Sequence, residues 1–256
     1  MSNLLSGMAA NVESDVVEET KDSIGGGGSF VLDSGVYAFR VKYAFLQKSK
    51  KGAAGLNLFL ETIEGQEIRH TFWMTSGDNK GNKNFYIKKG KDGKEIKHYL
   101  PGFNNANALA LLTVGEEIIA LSDRVEVKNI ELYDFDEGKA VPTDVDMVMP
   151  LLGKEFYAGV IKEIVDKRAL NDDTGDYEPT GETREQNDID KIFRAKDKLT
   201  KVEILAEATE PAFMAKWVEA WKGEVKDRTS KDTPKAGAPA SNRESGAQAP
   251  KKSLFS

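Results

Sequence analysis

The stretch GVYAFRVKYAFLQKSKKGAAGLNLFLETIEGQEIRHTFWM, residues 35–74, decides how this chain is read. Over residues 35–46 the side chains alternate, with Tyr37, Phe39, Val41, Tyr43 and Phe45 on one side and Arg40 and Lys42 on the other. That period of two is the mark of a half-buried strand. A basic turn, Gln47 to Gly52, follows. Residues 56–63 then set Leu56, Leu58 and Leu60 against Asn57, Phe59 and Glu61. Glu64-Gly65-Gln66 is a tight hairpin turn. Residues 67–75 set Ile68, His70, Phe72 and Met74 against Arg69, Thr71 and Trp73. Three consecutive antiparallel strands in a meander are expected.

The outward face of this meander joins cations to aromatics: Arg40, Lys42, Phe59, Arg69 and Trp73. Single-stranded nucleic acid suits such a surface. Unpaired bases stack on aromatic rings, and phosphates release counterions when lysine and arginine neutralise them. The alternative is that Phe59 and Trp73 pack under a loop or under a helix near residue 215.

Beyond the meander, residues 77–97 are rich in lysine and glycine and read as a long loop or ribbon. Asn104 to Leu112, after Pro101-Gly102, reads as a short helix closed by Gly115. Strands are expected over 124–133, 154–165 and 189–194, with a long acidic loop between the last two. Residues 211–222 read as a helix with proline at its start and Phe213, Met214, Trp217, Val218 and Trp221 on one side. Five or six strands with a helix after the third suit a mainly β protein, an OB-type Greek-key barrel with long loops and a C-terminal helix. A β-sandwich with helices is the competing architecture.

Charge is segregated along the chain. It has 256 residues and a formal net charge of -6. Residues 40–98 nevertheless hold thirteen Lys/Arg against six Asp/Glu, and residues 116–155 hold eleven acids against four bases. One part of the fold is therefore expected to be positive and another negative. Lys48, Lys50 and Lys51 flank the first turn. Lys80, Lys83, Lys88, Lys89 and Lys97 share a segment with Phe85, Tyr86 and Tyr99. Basic residues interleaved with aromatics strengthen the nucleic-acid reading, and lysine in excess of arginine suits phosphate contact without base-specific forks.

The flanks differ from this core. Residues 1–28 hold five acids and one lysine and end in four glycines, a flexible acidic arm. Residues 223–256 are rich in Ala, Pro, Ser, Gly and Lys and read as a disordered tail with a hydrophobic tip, Leu254 and Phe255, that suits a partner hook. The folded domain is placed at 29–222.

Several function classes find no support. The chain has no cysteine and two histidines, which removes disulfides, thiolate zinc sites and thiol nucleophiles. No Gly-x-x-x-x-Gly-Lys-Ser/Thr, His-Glu-x-x-His or Gly-x-Ser-x-Gly motif occurs. The run Asn171 to Asp176 lacks EF-hand spacing and reads as a solvated turn. A non-catalytic protein with no cofactor and no metal is expected. A Mg²⁺-dependent nuclease or recombination enzyme, resting on scattered acids, and a virion adaptor are the alternatives. No stretch has the apolar length to span a bilayer, and the start lacks the pattern of a signal peptide. A cytoplasmic setting without membrane partners is expected.

Certain segments resemble the single-stranded DNA-binding proteins of tailed bacteriophages: LLGKEFYAGVIKEIVDKRA (151–169), YEPTGETREQNDIDKIFR (177–194), ATEPAFMAKWVEAW (208–221) and KKSLFS (251–256). The run Glu178 to Glu185 is the most specific part. The resemblance implies an OB-fold core that coats single-stranded DNA during phage replication and recombination in the cytoplasm of an infected bacterial host. It also implies a tail that contacts replication proteins such as a DNA polymerase or helicase. One departure stands out. Many such proteins end in a strongly acidic tail, whereas residues 223–256 here hold seven Lys/Arg against four Asp/Glu. The competing acidic role is expected of the arm instead, through Glu13, Asp15, Glu18, Glu19 and Asp22.

Overall fold

The computed structural model describes residues 30–134, 137–171 and 177–230, and from Val31 onward they belong to one unit. The protein is mainly β, with antiparallel ladders throughout except at one short strand. In chain order the strands are β1 (Gly35–Lys48), β2 (Ala54–Thr62), β3 (Glu67–Trp73), β4 (Phe85–Lys89), β5 (Glu95–Tyr99), β6 (Val125–Asp134), β7 (Lys139–Val148), β8 (Glu155–Leu170), β9 (Tyr177–Arg194) and β10 (Val225–Asp227). The helices are α1 (Pro101–Thr113), α2 (Lys201–Leu205) and α3 (Ala212–Trp221). The main sheet runs β3-β2-β1-β8-β9. β6 and β7 form an arm joined to it where Phe45 and Leu46 of β1 meet Met147 and Asp146. β4 and β5 stand apart as a two-stranded ribbon.

The meander forms as its alternation predicts, with one correction. Leu56, Leu58 and Leu60 are fully buried and Ile68 and Phe72 lie beside them. Phe39 and Val41 share that core, but the β1–β2 register shifts between Val41 and Tyr43. This bulge turns every later β1 side chain over. Ala44, not Tyr43, faces the main core, and Tyr43 is exposed. Phe45 is buried on the opposite face, in a second cluster with Val145 and Met147 from the arm.

α1 lies against β3, β8 and β9 and buries Phe103, Ala106, Leu109 and Ala110. Pro101 starts it, at the position where a missing N–H costs nothing. Asn105 donates from Nδ2 to the carbonyls of Ile189 at 3.0 Å and Asp190 at 3.3 Å. The helix thereby ties itself to β9, on the far side of the gap beside β3. Among the described residues no ladder joins β3 to β9, so the sheet is not closed.

Three expectations change. The acidic loop expected between residues 165 and 189 is largely strand: β8 runs on to Leu170 and β9 begins at Tyr177, a long ribbon whose outer part is held by its ladder rather than by burial. β7 and α2 were not expected. Thr200 caps α2 by accepting from the Glu203 N–H, while Glu203 accepts from the Thr200 N–H. Finally, the tail expected from residue 223 contributes β10, which pairs in parallel with Lys162–Ile164 of β8.

β10 is fixed by polar contacts. Ser34 Oγ donates to the Glu224 carbonyl at 2.5 Å and accepts from the Lys162 N–H at 2.8 Å. Glu163, fully buried, pairs with Lys226 at 3.0 Å and Arg228 at 3.2 Å. α3 covers the same region through Trp217, the one buried residue of its expected apolar side. The Trp217 ring lies on Gly159, where a Cβ would come within 2.7 Å of it, and its Nε1 donates to Asp190 at 2.8 Å.

Candidate functional site

The outward face of β1–β2–β3 carries the residues expected there, already engaged with one another. Arg40 pairs with Glu155 at 2.7 Å and Lys42 with Glu67. Those hydrogen bonds raise the pKa of each cation. Both pairs are solvent-exposed, the class of ion pair that exchanges partners at small cost. The open stacking surface expected at Phe59 is taken. Arg69 stands over the ring at 4.3 Å from its centroid, and Tyr43 and Phe45 flank it at 5.9 and 5.8 Å. At this spot the groups presented to solvent are Tyr43 and Arg69.

Trp73 is different. It is 42% exposed, and it faces Gly55 across the β2–β3 ladder. A Cβ on Gly55 would lie 2.9 Å from the indole, so glycine is what lets the ring settle on the strand. From Trp73 a groove of about 680 Å³ opens between β3, the β4–β5 ribbon, the start of α1 and β9. Tyr86 and His98 line it as a stacked pair with centroids 5.6 Å apart. Tyr99, 54% exposed, packs on Phe103 at 4.8 Å. Lys97 and Lys191 bring positive charge to the groove, Asn104 and Asn105 bring amides, and Asp188 and Asp190 bring carboxylates.

His70 lies at the back of this groove and faces the core. Burial lowers its pKa to about 4. The ring is therefore neutral near pH 7, 3.9 Å from Asp188 and edge-on to Phe72. Burial first, and Glu163 next, raise the pKa of the Asp188 carboxyl.

The remaining expected cations fall into two groups. In the first, the turn bearing Lys50 and Lys51 is tied to the loop before β4, because the Asp78 N–H donates to the Lys51 carbonyl at 2.9 Å. That contact brings Lys48, Lys50 and Lys51 toward Lys80 and Lys83. Lys50 also approaches the Tyr177 ring at 5.9 Å, so the outer part of the β8–β9 ribbon comes to the same place. In the second, Lys88 and Lys89 are exposed on β4. Lys97 sits 5.0 Å from the centre of Phe85. Leu254, Phe255 and the acidic arm lie outside the described residues.

Sequence reasoning missed Tyr177, His98 as a stacking partner of Tyr86, and Lys191, and it set Tyr99 among the aromatics of the basic segment without placing it at a site. Directly paired positions on two strands reveal the Tyr86–His98 stack. The signal was available in the sequence: an aromatic and a histidine each four residues from the Gly90–Lys94 turn.

No protein-family model matches the chain, and no curated protein matches it either. Among the described residues no helix is long and apolar enough to cross a membrane.

Proposed function

We propose that this protein binds single-stranded DNA with little sequence preference, as a non-catalytic coating protein of phage replication and recombination. One observation carries the reading: a single groove lined by Trp73, the Tyr86–His98 stack, Tyr99 and the cations Lys97 and Lys191. Its exposed rings suit stacking by unpaired bases of any identity. Phosphates are met by Lys48, Lys50, Lys51, Lys80 and Lys83 around the β1–β2 turn and by Lys88 and Lys89 on β4.

The strand order supports an OB-type architecture. β3-β2-β1-β8-β9 with a helix between the third and fourth of these strands is a five-stranded Greek key, and a partly open seam is normal for that fold. The seam between β3 and β9 then coincides with the floor of the groove. The β6–β7 arm and β10 are additions to that core.

Tryptophan fluorescence tests the proposal. The full chain is titrated with homopolymer single-stranded DNA and with a matching duplex across a salt series. Quenching by the single strand is expected, with little response to duplex and a salt slope of about -0.7 per phosphate engaged. Trp73→Ala is expected to remove most of the quenching and to weaken binding by about 1–3 kcal/mol. Trp217, buried on Gly159, reports on folding instead. Absence of any response to DNA at low salt would sink the proposal.

A further inference from the structure

The acidic side of the molecule has a groove of its own. The β6–β7 arm, residues 125–148, carries seven acids and two lysines. Both lysines are paired locally, Lys128 with Glu126 at 2.7 Å and Lys139 with Glu137 at 3.0 Å. β7 pairs with β6 along its whole length but with β1 only at Asp146 and Met147. Past that point the two strands part, and among the described residues no strand pairs with the outer edge of β7 over residues 139–145. In the opening lies a groove of about 460 Å³. Phe45, Leu132 and Val145 line it on one face of the arm, and on the other face lie Val127 and the carboxylates of Asp146 and Asp144, the latter accepting from Asn129 Nδ2 at 2.7 Å. Val127 is 66% exposed, unusual for a β-branched side chain in mid-strand.

We propose that this groove holds residues 251–256 of this chain, KKSLFS. The fit rests on charge and on pattern. In an extended segment Lys251 and Phe255 share one face and Lys252 and Leu254 the other, so Lys251 and Phe255 meet Asp144, Asp146 and Val127 while Leu254 meets Phe45 and Val145. An extended peptide can add to the unpaired β7 edge, so backbone hydrogen bonds supply affinity while the side chains supply choice. Roughly twenty residues separate Ser230 from Lys251, enough to span up to ~65 Å when extended, so the segment can reach a groove on its own copy or on a neighbour. The lysine-bearing turn and loops at Lys48–Lys51 and Lys80–Lys83 are electrostatically the wrong place for this segment. The arm is the right one, and the proposal stands whether or not the protein binds DNA.

The absence of cysteine makes the test clean. Val127→Cys and Ser256→Cys are introduced together into the full chain and oxidised mildly. A control pairs Ser256→Cys with Ile63→Cys, which is 87% exposed in the β2–β3 turn. The groove pair is expected to crosslink several-fold more than the control. Adding Asp144→Lys and Asp146→Lys should bring the yield down to the control, and further adding Lys251→Glu and Lys252→Glu should restore it. Monomeric crosslinked product assigns the contact to one copy, dimeric product to a neighbour, and either supports the docking. Equal yields at Val127 and Ile63, or a yield indifferent to charge reversal while circular dichroism stays native, would overturn it.

Discussion

His70 enters the fold as a neutral imidazole, and acidification works against that. Its pKa is lowered to about 4 by burial, from 6.5 in the unfolded chain. The unfolded state therefore binds the proton first as pH falls. The stabilisation is complete above about pH 6.5 and is lost on descending toward pH 4, roughly 3 kcal/mol across the window. Asp188 runs the other way. Its raised pKa lets the folded state take up a proton earlier than the unfolded one, which offsets part of the loss at the acid end. Calorimetric melting from pH 7.5 to 4 is expected to show the decline, and His70→Gln is expected to flatten it. Identical slopes in the two proteins would assign the acid sensitivity elsewhere. Trp73 makes a companion case. Because its ring rests on Gly55, Gly55→Ala is expected to displace the indole and weaken DNA binding while leaving the melting temperature within a few degrees; fluorescence titration and calorimetry read the two effects separately.

β10 is three residues long and cannot hold its place by ladder alone. It is held by Glu163, whose carboxylate is fully buried between Lys226 and Arg228. Removing both cations leaves a buried charge unpaired, which costs about 3 kcal/mol or more. Removing the charge itself is milder. Urea denaturation is expected to show a large loss for Lys226→Ala with Arg228→Ala, and a smaller one for Glu163→Gln. The reverse order would mean that the contact is solvated. This segment was illegible in the sequence because three residues in a polar run carry no period, and its partner glutamate lies sixty residues away. The same reason hid other elements. β2 and β3 could be read because Leu56, Leu58, Leu60, Ile68 and Phe72 alternate over one buried face. The bulge in β1 could not, because the register with β2 decides it, and Tyr43 and Ala44 satisfy either phase. β7 carries Pro142, Asp144 and Asp146, and outer β9 carries polar residues on both faces, so neither shows a hydrophobic pattern. Of the candidate site, the cations and Trp73 were legible as residue types. The groove was not, because it is made by β3, β5, α1 and β9 meeting from four parts of the chain.

Taken together, the charges separate into a lysine-bearing region built from the β1–β2 turn, the loop before β4 and the β4–β5 ribbon, and an acidic β6–β7 arm. Such a molecule favours polyanions at one place and repels them at another, which orients a bound strand before any base is contacted. We propose that the acidic residues 1–28 compete for the same cations by their charge. Deleting residues 1–24 is expected to tighten single-stranded DNA binding several-fold at low salt, with the gain fading as ionic strength screens it. Equal affinity at low salt would leave the arm without that role.

The clasp at Ser34 has a topological consequence. Leu32 exchanges hydrogen bonds with Asn187, which pairs with Lys162, and the Ser230 N–H donates to Asp166 on the same strand. Leu32 and Ser230 are thus anchored at positions four residues apart along β8, about 13 Å. A linker of four or five residues could join those points, and the chain could be reopened at Gly65, in an exposed turn, with every ladder of the sheet left intact.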